Sequence, residues 1–324
     1  MRANYETGAA LPKDRARVTV AGMLAIPTEA ATGILREHVA PGLNVTAVKR
    51  MAGGMVNTVQ EWITDGEPRS VVAKLTPQPD HAGLLNEFHT LAWYRRHTEF
   101  PVPQPYACVS GQPGLAGTCL LMERIPGRNL GEARLSPRGA EHYERQLAKH
   151  LVKLHGHKRD TYGNALGGTT YARHLDLFAP ALEYEFKAVR SQLPAASRKT
   201  VERLLAHLDE WLPETGDPTL VHGDIWATNI IVDDTDPDAP QIRAFIDMGA
   251  NYRDVEQELA YLLIFHTAGA TFFGEYRQVH PLRPGFERRC RVYWLNTWLL
   301  HVRLFGDGYL ASAERTIREI ERLG

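Results

Sequence analysis

Two short segments in fixed order constrain this chain more than anything else in it. His222-Gly223-Asp224-Ile225-Trp226-Ala227-Thr228-Asn229 sets an aspartate five residues ahead of an asparagine. Eighteen residues after Asn229, the apolar Ile246 delivers Asp247, with Met248 and Gly249 behind it. An aspartate that orients a hydroxyl proton and an asparagine that reaches a cation on a phosphate chain must share one short loop, and a second acidic ligand must arrive from a neighbouring strand. Each segment alone is a weak signal. Together, a strand apart, they require a fold that brings two loops to one point.

H-x-D-x-x-x-x-N is the spacing of a kinase catalytic loop, and D-x-G is the shape of its second metal-binding segment. The pieces that such chemistry needs upstream are also present. Val71-Val72-Ala73-Lys74 ends an apolar strand on a lysine whose ammonium can pair with phosphates, and Glu87 lies on the following helix, where it can hold Lys74. One hairpin earlier, Gly53, Gly54, Asn57 and Thr58 supply backbone amides and short polar side chains for close approach to phosphates. That last signal is weak, because the spacing is not G-x-G-x-x-G.

Alternating and helical periodicities place these motifs. Val45–Met51, Met55–Thr64 and Ser70–Leu75 read as strands, with Asp65-Gly66 as a turn, and the stretch from His81 to His97 reads as a helix with Leu84, Phe88 and Leu91 on one face. Pro101, Pro103 and Pro105 restart the chain as extended segments, Thr118–Glu123 is a strand, and the glycines at 111, 114 and 117 are a turn before it. From Ser136-Pro137, an N-cap with proline at the first helical position, the pattern is helical, with Leu147, Leu151 and Leu154 in one stripe. Further helices are predicted over 181–192, 197–212, 256–268 and 286–304, interrupted by strands at Leu220-Val221, Ile230–Val232 and Arg243–Ile246. The expected fold class is α+β and bilobal. Residues 1–22 form a loosely ordered extension, 23–123 a small β-rich nucleotide-binding lobe, 124–130 a hinge, and 131–324 a larger helical lobe with the catalytic loop and acceptor site.

Composition excludes several classes. The 324 residues carry 37 Lys and Arg against 38 Asp and Glu, a net charge of −1, which argues against a protein held to nucleic acid or membrane by charge. No apolar run approaches the length of a membrane span, and the first residues lack the apolar core of a signal peptide. Three cysteines without a CxxC pair suit a reducing cytoplasm. The P-loop G-x-x-x-x-G-K-[ST], the serine elbow G-x-S-x-G and the zinc motif H-E-x-x-H are all missing.

VHGDIWATN, IDMG and the VVAK lysine resemble the aminoglycoside phosphotransferase superfamily, which has a protein-kinase-like fold. Within it, the tail from Glu275 to Glu314 and the HGDIWATN loop are similar to the fructosamine kinase branch, and the resemblance runs over roughly residues 45 to 320. Two places depart from that branch. Met248-Gly249 follows Asp247 where the branch has proline, and Val255-Glu256 stands where it has an arginine-glutamate pair. The resemblance implies an ATP-dependent phosphotransferase acting on a hydroxyl of a small, sugar-like, amine-bearing molecule. The alternatives are an antibiotic-modifying kinase and, in another class, an inactive nucleotide-binding module.

The roles that follow are specific. Asp224 orients and deprotonates the acceptor hydroxyl, Asn229 and Asp247 hold Mg2+, and Lys74, held by Glu87, orients the ATP phosphates. Adenine lies beneath Gly53 and Gly54 against the Met122–Arg124 backbone, with Glu123 at its centre. His222 positions the loop rather than carrying a proton. Trp226, Tyr252, Trp298 and His301 are candidates for the wall of the acceptor pocket. Asp254, Glu256 and Glu258 either begin a helix, where its dipole favours carboxylates, or face a cationic acceptor. His155 and His157, with no third ligand near them, read as a helix end and not a metal site. The oligomeric state stays open between monomer and dimer.

Overall fold

The structure, a computed structural model, describes residues 26–51, 57–213 and 216–324. The expected extension over 1–22 and the pair Gly53 and Gly54 lie outside the described residues.

The first half is built on a five-stranded antiparallel sheet in the order β1-β2-β3-β5-β4. Its strands are β1 (Val45–Arg50), β2 (Thr58–Thr64), β3 (Ser70–Thr76), β4 (Pro105–Ser110) and β5 (Thr118–Glu123). Helix α1 (Thr28–His38) covers one face and α2 (Ala82–His97) the other. Because successive side chains of a strand point to opposite faces, β3 divides cleanly. Val71, Ala73 and Leu75 pack with Ile34 and Leu35 of α1, whereas Val72 packs with Leu84 and Leu91 of α2. Lys74 shares the Val72 face and so is delivered toward α2. On the paired strand β5, Cys119 and Leu121 face α1 and Leu120 and Met122 face α2. The sequence pattern did not give α1. Its segment TEAATGILREH has a glycine in mid-helix and only Ala31, Ile34 and Leu35 buried, too thin an apolar stripe to read.

The crossing to the second half is shorter than expected. Strand β6 (Arg128–Asn129) already pairs with β10 (Ile230–Asp233), so only residues 124–127 bridge the sheets rather than the predicted 124–130. Strand β11 (Gln241–Phe245) completes that three-stranded sheet, and β7 (Tyr162–Asn164), β8 (Thr170–Tyr171), β9 (Thr219–Val221) and β12 (Asn251–Arg253) form a third. Around them pack α3 (Pro137–Leu154), α4 (His174–Val189), α5 (Ala195–Ala206), α6 (Leu208–Trp211), α7 (Val255–Ile264), α8 (Ala270–Tyr276), α9 (Phe286–Phe305) and α10 (Leu310–Leu323). α3 begins as the sequence indicates, the Ser136 hydroxyl accepting the Gly139 N–H at 3.0 Å with Pro137 in the first turn.

Three helix predictions shift for local reasons. α4 starts at His174, not at 181, because burial of Phe178, Leu182 and Phe186 carries the helix through Pro180 despite its missing N–H. The predicted helix over 197–212 divides at His207, whose backbone leaves the helical region. The one over 256–268 stops at Ile264, since His266 takes a positive φ of 52°. Among the described residues no helix is long and apolar enough to cross a membrane.

Candidate active site

The two loops read from the sequence meet. β9 runs into the loop 222–229 and β11 into Ile246-Asp247, and the loops are stitched together by the Ile246 N–H on the Asn229 carbonyl (3.0 Å) and the Gly249 N–H on the His222 carbonyl (2.8 Å). Asp247 itself has φ +60°, a left-handed conformation in which aspartate and asparagine are the best tolerated side chains after glycine. The turn swings its carboxylate out of the strand line toward the first sheet.

There it meets the upstream pieces. The Lys74 ammonium is 2.6 Å from Glu87 Oε1 and also pairs with Asp247. Glu87 is placed by helical period: Leu84, Glu87, Leu91 and Tyr94 are all buried and share one face of α2. A carboxylate in an otherwise apolar stripe marks an ion pair the core has to hold. Tyr94, at the end of that face, lies 3.1 Å from the carbonyls of both Val221 and Gly249, so a single phenol ties α2 to both loops.

Asp224 is buried, with the Tyr261 hydroxyl donating to Oδ1 at 2.5 Å and the Asn229 amide donating to Oδ2 at 3.1 Å. Burial pushes its carboxyl above the usual carboxylate range. His222 Nδ1 accepts the Asp224 N–H at 3.2 Å, tying the imidazole to the loop's backbone. The Asn229 amide also donates to the Asp224 carbonyl at 2.9 Å. That spends its nitrogen on the loop and turns its oxygen the other way. An amide oxygen and a carboxylate are both hard oxygen donors, of the kind that suits a cation such as Mg2+.

Glu258 carries the loop's backbone, a role that neither sequence reading of the acidic group 254–258 assigned to it. Its two oxygens accept the N–H groups of His222 (3.1 Å) and Gly223 (2.6 Å), and His155 Nε2 lies 2.9 Å from Oε1. A carboxylate only accepts, so His155 donates from Nε2 and its Nδ1 accepts the Tyr276 hydroxyl at 2.7 Å. Burial opposes ionisation of Glu258, but these donors bring its carboxyl below the ordinary value. His155 thus ends α3 as expected and braces the loop; among the described residues no group of three His, Cys, Asp or Glu could hold a metal. Glu258→Gln would turn an amide nitrogen toward a backbone donor. We expect it to cost about 1–3 kcal/mol of stability and to lower turnover about tenfold by loosening the loop, read by thermal melts and steady-state rates.

Asp224, Asp247, Glu87 and Glu258 line a cleft of about 510 Å3 whose wall also includes Asn164, Gln257, Tyr261, Thr297, His301 and Phe305. Of the candidates Trp226, Tyr252, Trp298 and His301, only His301 lies on this wall. Its Nδ1 is 2.7 Å from the Thr297 carbonyl and must donate, leaving Nε2 as an acceptor with no partner among the described residues. Trp226 and Trp298 stand behind it against Phe265, at 6.2 and 5.8 Å between ring centroids, and the buried Trp226 indole N–H has no partner among the described residues. Two expectations need correction. Tyr252 lies in the third sheet beneath the Arg159 guanidinium, 4.2 Å from its ring, away from the cleft. Glu256 is buried against Arg283 and Arg289, with Arg289 Nη2 at 2.9 Å, so the α7 carboxylate that faces the cleft is Glu258. The Glu123 side chain accepts the Gln104 N–H on Oε2 at 2.9 Å. Thr58 opens β2 opposite Leu75, and Asn57 just before it has a buried Oδ1 without a partner among the described residues.

Two buried histidines contribute to the acid sensitivity of this lobe. Burial lowers both His174 and His222 to about 4. The unfolded chain, with histidines near 6.5, then binds more protons than the folded one, so stability falls as pH drops from about 6.5 toward 4. Asp224, raised by burial, works in the opposite sense over the lower part of that window. We expect the midpoint of thermal unfolding to fall as pH drops from about 6.5 toward 4, a trend that differential scanning at closely spaced pH values checks.

Comparison with known proteins bears on family and fold. The profile of the phosphotransferase enzyme family matches residues 47–290. The ketosamine-3-kinase of Mus musculus is 25% identical over 312 residues, covering 86% of this chain and 96% of its own. The chloroplastic protein-ribulosamine 3-kinase of Oryza sativa subsp. indica is 27% identical over 302 residues, covering 86% and 80%. In fold, a protein from Haemophilus somnus assigned as a fructosamine-3-kinase superposes with a TM-score of 0.72 at 16% identity, over 90% of this chain and 97% of that one. An aminoglycoside phosphotransferase solved with AMP-PNP and hygromycin B gives 0.62 at 17% identity, over 91% and 97%. With its loops, lysine and paired carboxylates assembled in a protein-kinase-like fold, the chain belongs to the phosphotransferase enzyme family.

Proposed function

We propose that the protein transfers the γ-phosphoryl group of ATP, as its magnesium complex, to a hydroxyl of a ketosamine, a sugar joined to an amine. The observation that carries this is the Lys74 ammonium held between Glu87 and Asp247 at the edge of the cleft that Asp224 lines. Lys74 pairs with the phosphate chain, and Glu87 keeps its ammonium aimed. Asp247 and the Asn229 oxygen hold the magnesium ion, which when bound neutralises charge on the phosphates. Asp224 accepts the proton of the acceptor hydroxyl as its oxygen bonds to phosphorus, and the bond to ADP breaks. With a loose transition state there is little covalent work to do, and positioning and charge supply the rate.

The acceptor end of the cleft suits a polar molecule with donors and an apolar flank. His301 Nε2 offers a neutral acceptor to a hydroxyl or ammonium, since burial keeps the imidazole's pKa below its ordinary value. Similarity to the mouse and rice kinases supports a ketosamine over an antibiotic. The intact set Lys74, Asp224, Asn229 and Asp247 argues against an inactive module.

The test is acceptor-dependent ADP release with magnesium across fructosyl-lysine, ribulosyl-lysine and aminoglycosides, with mass spectrometry for one added phosphoryl group. Turnover on the glycated amines is expected. Turnover on aminoglycosides alone would overturn the acceptor assignment. His301→Leu should raise the KM for the glycated amine about tenfold, the loss of one hydrogen bond, with the KM for ATP unchanged.

A further inference from the structure

The phenol of Tyr261 sits where no part of the transfer chemistry described above needs it. It lies on α7, one turn beyond Glu258, lines the cleft, and packs its ring 4.7 Å from Phe265. Its hydroxyl donates to Asp224 Oδ1 at 2.5 Å, while Asn229 donates to Oδ2 at 3.1 Å. An acceptor hydroxyl must deliver its proton to this same carboxylate, and the phenol already makes there the hydrogen bond that the acceptor will make.

We propose that Tyr261 is a specificity-determining residue that caps Asp224 against water, yielding its place only to an acceptor held elsewhere in the cleft. A kinase of this design has an unwanted reaction open to it. Water can attack the γ-phosphorus, passing a proton to Asp224, forming phosphate as the bond to ADP breaks. To do so it must first displace a charge-assisted hydrogen bond, the stronger kind. Water brings no further contact to offset that loss. A sugar brings its other hydroxyls, its amine and its apolar face, so its binding energy can be spent on the displacement. The cap therefore separates the two nucleophiles by what else they bind.

The proposal rests on the phosphotransfer reading but not on the identity of the acceptor, and the experiment separates the two. Magnesium-dependent ATP hydrolysis is measured for the wild type and Tyr261→Phe without acceptor, then transfer to fructosyl-lysine. Hydrolysis should rise about tenfold in the variant, the scale of one charge-assisted bond, and the ratio of transfer to hydrolysis should collapse. A merely structural role lowers both rates together and leaves that ratio in place, which would overturn the proposal, as would hydrolysis that is unchanged or absent in both proteins. Faster hydrolysis without any transfer to fructosyl-lysine would sink the ketosamine reading and uphold the cap. Tyr261→Leu gives the same comparison should the phenylalanine variant melt early, and faster hydrolysis is again expected.

Discussion

Asp247→Asn reduces acceptor-dependent ADP release to below about one thousandth of the wild-type rate, with the fold intact. Asparagine is the right replacement because the residue has φ +60°. Alanine there would add backbone strain of about 1–2 kcal/mol and confuse a chemical effect with a structural one. Asparagine tolerates that conformation and keeps the size, so what disappears is one negative charge. The charge has two jobs. It is the carboxylate of the proposed magnesium site, and it pairs with Lys74 across the two loops. Lys74 keeps its partner Glu87, so no cation is stranded in the core. The melting temperature should therefore move little while turnover vanishes. Turnover within tenfold of wild type would contradict the assignment.

Asp224→Ala lowers kcat by about 10² to 10⁴, the range for a positioned acid or base, with the KM for ATP little changed. The separation follows from the hydrogen bonds. Asn229 keeps its bond to the carbonyl of residue 224, which the substitution leaves in place, so the asparagine oxygen stays where it is. Lys74, Glu87 and Asp247 do not touch the removed side chain in any hydrogen bond described above. A large rise in KM for ATP with kcat preserved would mean that Asp224 holds nucleotide rather than acceptor.

The parts of this site legible in the sequence are those fixed by short spacing. Five residues from Asp224 to Asn229 force both side chains into one loop, and the structure joins them directly. Lys74 and Glu87 were readable because strand alternation and helix period each decide a face, and the two faces meet. What was not legible depends on long separations. Glu258 lies 36 residues from the His222 amide it accepts, and Tyr94 lies 127 residues from the Val221 carbonyl. No periodicity connects such pairs. The acidic group on α7 shows the difficulty well. Glu256 and Glu258 have the same chemistry two residues apart. Only the placement of Arg283 and Arg289 decides that Glu256 is consumed by ion pairs and Glu258 turns to the catalytic loop. The aromatic residues of α9 give a similar lesson: helical spacing placed Trp298 and His301 on nearby faces, but only His301 reaches the cleft wall.

The most direct test of the whole account is a crystal structure with magnesium and a non-hydrolysable ATP analogue. The account predicts a single cation touching the Asp247 carboxylate and the Asn229 oxygen, the Lys74 ammonium on the phosphates, and the γ-phosphate facing Asp224. Nucleotide bound with its phosphates away from Lys74, or a cation held by other side chains, would contradict it.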